Sequence, residues 1–309
     1  MNEYSLTRKL MGSVFELIVC CTSPEEANKY LNLGLNEIER IEKLLSEFLP
    51  ETATTLINNN AGIAPVIVND EVFWLLERCM AVSALTQGAF DITIGPLKKL
   101  YQFKNTEFRF PTTKDIQEKL KLVGYKKINL NREKKEVFLT QENMRISFAA
   151  IGKGYAADCV KKLWLKNKLS SGVISASGDL TVIGHKPDGS AWKIGIANPD
   201  QKEKMLLYIP IEDASVATSG DYEQFFMHQG TRFSHNINPI TGLPVKGIKS
   251  VTVISQTAEL CDAFATAVYV MGLDIGMHFI NQLQDTHCIL VDESLNCHYS
   301  NKIEMNHED

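Results

Sequence analysis

The sequence predicts an α+β protein of mixed sheets with packed helices, not a regular doubly wound sheet. Three observations carry this. Segments with two-residue alternation come in hairpin-like pairs, and segments with three- and four-residue apolar spacing are interleaved with them. Gly/Ser/Asp-rich loops separate the two kinds, with no internal repeat and no low-complexity linker. The 309 residues, 44% hydrophobic and 22% charged, suffice for a large core. They read as one domain over residues 1–295, either a single body or two lobes around one cleft, followed by a polar tail at 296–309.

Residues 13–21 (SVFELIVCC) are β-rich and predict a strand. Ser23, Pro24 and Glu26 then supply an N-cap, a proline for the first helical position and a capping-box glutamate. The helix that follows carries Leu31, Leu35, Ile38, Ile41, Leu44 and Leu45 on one stripe and ends near Phe48. Residues 71–85 predict a second helix stopped at Gly88, and residues 89–97 (AFDITIGPL) are expected to be non-helical through Gly95-Pro96. Residues 126–147 alternate as paired strands (KKINL, EVFLT, RISFAA), and residues 152–169 turn helical. A strand is therefore expected to run into a helix through the glycine-flanked Lys153. Strands are predicted at 172–184, interrupted by Ser177-Gly178-Asp179, and at 191–197. Residues 218–222 (TSGDY) and 233–245 (FSHNINPITGLPV) are turn-rich. A strand at 249–254 and a helix at 257–271, with Ala263, Ala267 and Val270 on its apolar side, complete the order.

Composition excludes several functions. A formal charge of −5 and the absence of a basic cluster argue against nucleic acid as a partner. Seven scattered cysteines without CxxC or Cys/His ligand spacing suggest neither a disulfide framework nor a zinc site, but thiols that are mostly buried. No GxSxG elbow is present to seat a serine nucleophile. No apolar stretch is long enough to cross a bilayer, and residues 1–10 lack the apolar core of a secretory leader. As written, the chain is expected in the cytoplasm; a cell-envelope lipoprotein or periplasmic protein whose leader had been removed would read the same.

Four segments could carry chemistry. Asp262 and Thr266, four apart on a predicted helix, project a carboxylate and a hydroxyl from one face, hard oxygen ligands of the kind Mg²⁺ takes. From spacing alone, a surface Asp and a packed Thr are the simpler reading. The run from Ile151 to Gly154 could aim backbone N–H groups and the Lys153 ammonium at phosphate, although it is neither a Walker loop nor a GxGxxG fingerprint, and a turn that needs glycine explains it as well. The Thr218 to Asp221 tetrad could cradle an anion or simply form a turn. His235, in a polar loop before Pro239, is the histidine best placed to act as a general base.

Taken in order, these segments resemble the ApbE family of FAD:protein FMN transferases, over about residues 11–288. The resemblance is carried by Met11-Gly12, FDITIGPL (90–97), IGKGYAAD (151–158), SGD (177–179), TSGDY (218–222), SHNINPITGLPV (234–245) and SVTVISQTAELCDAFATA (250–267). It implies an ApbE-like fold with a deep cleft for FAD, contacted near Met11, Phe48, Ala89, Phe90, Asp91, Ser147, Lys153, Thr218, Ser219 and Ile237. It implies Mg²⁺ held by Asp262, Thr266 and the backbone carbonyl of Ala150. The implied reaction is Mg²⁺-dependent transfer of the FMN half of FAD to a Thr or Ser hydroxyl of an acceptor flavoprotein subunit, in a short Gly/Ser/Thr-rich motif, with release of AMP. Lys153 would assist as a point charge and His235 would take the acceptor proton. The alternatives are an FAD diphosphatase, which uses water as acceptor, and a non-catalytic FAD carrier; the chain would act as a monomer or homodimer. Several positions depart from the family: Ser147 stands where many members have Asp, Phe48 where a tyrosine is common, Ala149-Ala150 where a glycine pair is usual, and Asn238 where Asp usually precedes Pro.

Overall fold

The chain opens on a hairpin in which Asn2–Leu10 (β1) pairs with Ser13–Cys21 (β2). Met11 and Gly12 form its turn, at φ 52° and 74°. This corrects the sequence reading, which placed Met11 ahead of the first strand. The structure is a computed structural model and describes residues 1–101, 110–221, 225–228, 231–301 and 303. Tyr222, the end of the TSGDY segment, lies outside them.

Beyond the hairpin come α1 (Pro24–Leu45), α2 (Ala53–Asn59), β3 (Val66–Ile67), α3 (Asp70–Leu85), α4 (Gly95–Tyr101) and α5 (Thr113–Leu120). They are followed by β4 (Ile128–Asn131), β5 (Glu136–Leu139), α6 (Gly152–Lys166), β6 (Gly172–Ala176), β7 (Asp179–Ile183), β8 (Trp192–Asn198) and β9 (Gln201–Ile211). The remainder is β10 (Ser215–Gly220), β11 (Phe225–His228), β12 (Thr231–Ser234), β13 (Ile248–Ser255), α7 (Ala258–Met271), α8 (Leu273–Asn281), β14 (His287–Asp292) and β15 (Cys297–Tyr299). The chain divides into two compact units: Met1–Glu39, Lys153–Gly220 and Gly247–Asp309 form the first, and Arg40–Gly152 with Asp221–Lys246 the second.

The first unit is built on an eight-stranded sheet in the order β1-β2-β6-β7-β10-β13-β14-β15, with every neighbouring pair antiparallel. Cys297–Tyr299, within the segment read as a polar tail, is its last strand. The second half of β2, Leu17–Cys21, is apolar on both faces because both are covered there. Leu17 lies near Trp164 and Val160 of α6, all three around Gly34 of α1. Its neighbours Ile18 and Cys20 point the other way, into a cluster with Trp192, Ile194 and Ile211 of the β8–β9 hairpin. Helix α7 packs on β10 and β13. The α1 stripe is buried as its spacing predicts, with Leu44 only half-buried. Each fully buried aliphatic side chain contributes about 1.5–3 kcal/mol, whereas an exposed pair such as Arg8–Glu39 contributes about 0–1, so the stripe and not the ion pairs holds α1. Its capping box is displaced by one residue: Glu26 N–H donates to Ser23 Oγ (3.2 Å), but the Glu26 carboxylate accepts from Thr22 N–H (3.1 Å).

The second unit contains the β3-β5-β4 sheet, helices α2 to α5 and the β11–β12 hairpin. Ile94, Leu97, Tyr101, Val123, Phe233 and Ile237 form a core cluster, and Tyr101 Oη donates to the Gly242 carbonyl (2.7 Å). Two expectations are corrected here. Gly95 and Pro96 open a helix, because proline in the first turn has no N–H that the helix needs. Residues 145–150 (RISFAA) are not a strand of any sheet. They are bracketed by Asn58, which donates to the Ile146 carbonyl (3.0 Å) and accepts from its N–H (2.7 Å), and by the Ser147 N–H bond to Ile92 O (2.8 Å).

Candidate active site

Five residues singled out from the sequence are joined by one set of polar contacts within the first unit. Asp262 and Thr266 lie on α7, Asp262 being buried and Thr266 half-buried. The N–H of Gly154, next to Lys153 at the start of α6, reaches Asp262 Oδ2 at 3.5 Å. Thr266 Oγ1 is 3.3 Å from Ser219 Oγ of β10. The adjacent Thr218 pairs by its hydroxyl with Thr252 (2.9 Å) and donates its N–H to Asp179 Oδ1 (3.2 Å). Asp179 Oδ2 in turn accepts from Lys153 Nζ at 2.5 Å. Thr218 to Gly220 are thus the end of strand β10, whose ladder with β13 overrides their turn-like composition, and Asp221 follows in a turn. In the SGD segment Ser177 and Gly178, at φ 52° and 104°, form the hairpin turn joining β6 to β7, and Asp179 opens β7.

Asp179 and Asp158 were missed as functional residues. Asp179 is 5% exposed, and its charge sits against the Lys153 ammonium. Lys153 therefore offers a positioned donor already matched to a carboxylate, not an isolated positive charge. Asp158 accepts two backbone N–H bonds at the start of α7. Burial pushes its carboxyl above the usual range, against the pull of those two bonds. Burial and the nearby Asp158, Asp179 and Asp262 hold the Cys261 thiol far above its ordinary value, which keeps it protonated and unreactive. No disulfide joins the cysteines of the described residues, and among those residues no helix is long and apolar enough to cross a membrane.

The donor set around α7 consists of hard oxygens: one carboxylate and one alcohol on successive turns. That chemistry fits Mg²⁺, which takes few protein oxygens and fills its shell with water and phosphate oxygens. Among the described residues, no group of three His, Cys, Asp or Glu side chains is arranged to hold a metal. A cation here would therefore draw on Thr266, a backbone carbonyl and the ligand's own oxygens.

Gly154 is the tightest point of this arrangement. A Cβ there would lie 2.2 Å from the carbonyl oxygen of Ala258, so α6 and α7 approach each other through bare backbone. Gly154→Ala gains about 1 kcal/mol of helix propensity, but the forced separation costs about 1–3 kcal/mol or more. The variant is expected to have a lower denaturation midpoint than the parent in a urea titration.

In the second unit, the expected flavin contacts divide into side chains that face outward and side chains committed to the fold. Phe48 is 89% exposed, on a turn fastened by Ser46 Oγ, which accepts the N–H groups of Phe48 (3.1 Å) and Leu49 (3.2 Å). A large exposed ring on a built turn suits stacking on an aromatic ligand. Ala89, Phe90 and Asp91 are buried. Asp91 Oδ1 accepts from Thr93 N–H (2.8 Å) and hydroxyl (2.6 Å), and Oδ2 from Tyr125 N–H (2.8 Å), so its carboxylate staples the loop. The rings and chains of Phe90 and Ile237 are core, which leaves backbone as what their segments can offer a ligand. Ser147 Oγ donates to Glu47 (2.7 Å), and Ala150 sits in the turn just before α6, where Ile151 and Gly152 N–H both bond Phe148 O. His235 is half-buried beyond β12. Asn238 Oδ1 accepts the N–H groups of Ile240 (2.8 Å) and Thr241 (3.2 Å), a role that needs one oxygen and that Asn fills as well as Asp.

In this antiparallel α+β body an acidic and hydroxylic helix face lies beside a lysine-bearing helix start, groups whose chemistry suits phosphate oxygens and a divalent cation. The ApbE family model matches residues 11–290, and the chain belongs to that family. It is 31% identical over 293 residues to the FAD:protein FMN transferase of Klebsiella pneumoniae, covering 94% of this chain and 90% of that protein. It is 28% identical to the protein of the same name from Treponema pallidum, over 89% of this chain and 80% of the relative. The crystal structure of the ApbE protein from Thermotoga maritima superposes with a TM-score of 0.90 at 30% identity, covering 97% of each chain.

Proposed function

We infer that this protein is an FAD:protein FMN transferase, which cuts the diphosphate of FAD and attaches the FMN half to a Ser or Thr hydroxyl of an acceptor flavoprotein. The observation that carries the reading is the contact set in the first unit, where Lys153, Asp179, Thr218, Ser219, Asp262 and Thr266 adjoin one another in a member of the ApbE family. In the transfer, the acceptor oxygen forms a bond to the FMN-side phosphorus and the bond from that phosphorus to the bridging oxygen breaks. AMP departs with that oxygen, and the acceptor proton passes to His235. Asp262 and Thr266, with the Ala150 carbonyl that the family likeness implies, would hold Mg²⁺, which would neutralise charge developing on the phosphates. Lys153 donates to a phosphate oxygen while Asp179 fixes its direction. Ser219 orients the Thr266 hydroxyl, and Phe48 stacks on the isoalloxazine.

The test is incubation with FAD, Mg²⁺ and an acceptor subunit carrying the Gly/Ser/Thr-rich motif, followed by intact-protein mass spectrometry. Covalent gain of one FMN on the acceptor, with equimolar AMP, is the expected result. AMP and FMN appearing at the same rate without acceptor would favour hydrolysis, and FAD that stays whole would leave a carrier.

A further inference from the structure

Asp158 makes no contact that the proposed chemistry requires, yet it is a carboxylate only 7% exposed on α6. Its Oδ1 accepts the N–H of Ala258 at 3.0 Å and its Oδ2 the N–H of Glu259 at 2.9 Å, the first two residues of α7. Helix starts carry unpaired N–H groups that a side chain at the N-cap position usually satisfies. Thr257 holds that position in α7 and makes no side-chain cap bond. The cap is therefore supplied from another helix, with a negative charge at the positive end of the helix dipole.

Four residues earlier and on the same face of α6, Gly154 bonds Asp262 and leaves no room for a Cβ against Ala258. Helix α6 thus grips α7 at its first turn and again at Asp262, one turn on. Holding two successive N–H groups fixes both the rotation of α7 about its axis and its position along it, since each residue adds about 100° and 1.5 Å. Those two quantities decide where Asp262 and Thr266 point.

We propose that Asp158 is a positioning residue that caps α7 from α6 and sets the orientation of the Asp262 and Thr266 oxygens for a divalent cation. The proposal rests on the metal reading given above. Helix α7 does not need the cap to exist, because Ala263, Phe264, Ala265, Ala267 and Val268 are buried along its length. Losing the cap loosens the first turn and the ligand one turn further on.

The test uses the full chain loaded with FAD, with Mn²⁺ as the probe and its binding followed by electron paramagnetic resonance. Asp158→Asn keeps one acceptor and loses the charge and the second bond. It is expected to weaken Mn²⁺ binding about tenfold, as loss of a ligand-orienting contact does, while far-UV circular dichroism and the metal-free affinity for FAD stay as in the parent. Adding Thr257→Asp, whose backbone at φ −122° and ψ 135° suits an N-cap, returns the cap to α7's own chain and is expected to restore most of the Mn²⁺ affinity. It also stabilises the fold if the single variant is unstable. Parental Mn²⁺ affinity in a folded Asp158→Asn protein would overturn the proposal, as would failure of the second substitution to recover any of it. A parent protein that binds no Mn²⁺ would instead sink the metal reading, and this proposal with it.

Discussion

Asp262→Ala is expected to lower the rate of FMN transfer by at least 10²–10³-fold, on the order of what removal of one electrostatic stabiliser of a transition state costs. The same change is expected to move the thermal midpoint of the metal-free protein only slightly, because what Asp262's contacts contribute, the Gly154 N–H among them, is offset by the cost of burying its carboxylate. A residue that only stabilised the helix would show the opposite pattern, with less stability and modest kinetic change. Asp262→Asn keeps an oxygen for the Gly154 N–H and loses the charge, so it should fall between parent and alanine in transfer rate. Rates would be measured at saturating FAD over a range of Mg²⁺ concentrations, with midpoints from calorimetry in chelator. Transfer within about tenfold of the parent for the alanine variant would remove Asp262 from the mechanism, since tenfold is only about 1.4 kcal/mol of barrier.

What the sequence showed of this site depended on how local each signal was. The α7 pair was visible because four-residue spacing puts two side chains on one helix face wherever the helix lies. The start of α6 was visible because Gly-Lys-Gly ends a non-helical run and opens a periodic one. Asp158 and Asp179 were not, although both stand inside recognised motifs. Their roles are made by contacts 100 and 26 residues away, and nothing within either motif encodes such a partner. Strand β1 escaped for a different reason: its burial alternates weakly, with Glu3, Arg8 and Lys9 exposed at the edge of the sheet, so an apolar pattern never forms. The segment at 145–150 read as a strand because Ile146 and Phe148 are apolar at a two-residue step, but its backbone bonds go to the Asn58 side chain and to Ile92, and Ala149 and Ala150 are already in a turn. Period-two spacing reports which side chains are apolar, not strand pairing.

His235→Asn should separate binding from chemistry. The backbone on either side of His235 is anchored: Phe233 and Ile237 are both in the core cluster of the second unit, and Ser234 Oγ accepts the N–H of Asn236 at 3.1 Å. An asparagine of similar width therefore enters a position whose main chain is held on both sides by its neighbours. Asparagine cannot take up a proton, and loss of a general base costs about 10²–10⁴-fold. Transfer to the acceptor is expected to fall by that amount, while flavin fluorescence reports FAD binding close to that of the parent. His235→Gly leaves space for added imidazole, which should recover part of the transfer rate if the ring acts as a base. A third outcome is informative about acceptor choice: if the variant stops flavinylating protein but still releases AMP into water, His235 serves the acceptor hydroxyl and not phosphorus activation. Full transfer activity in the asparagine variant would mean that the proton leaves by another route, and the search would turn to the carboxylates that adjoin Lys153 and Thr266.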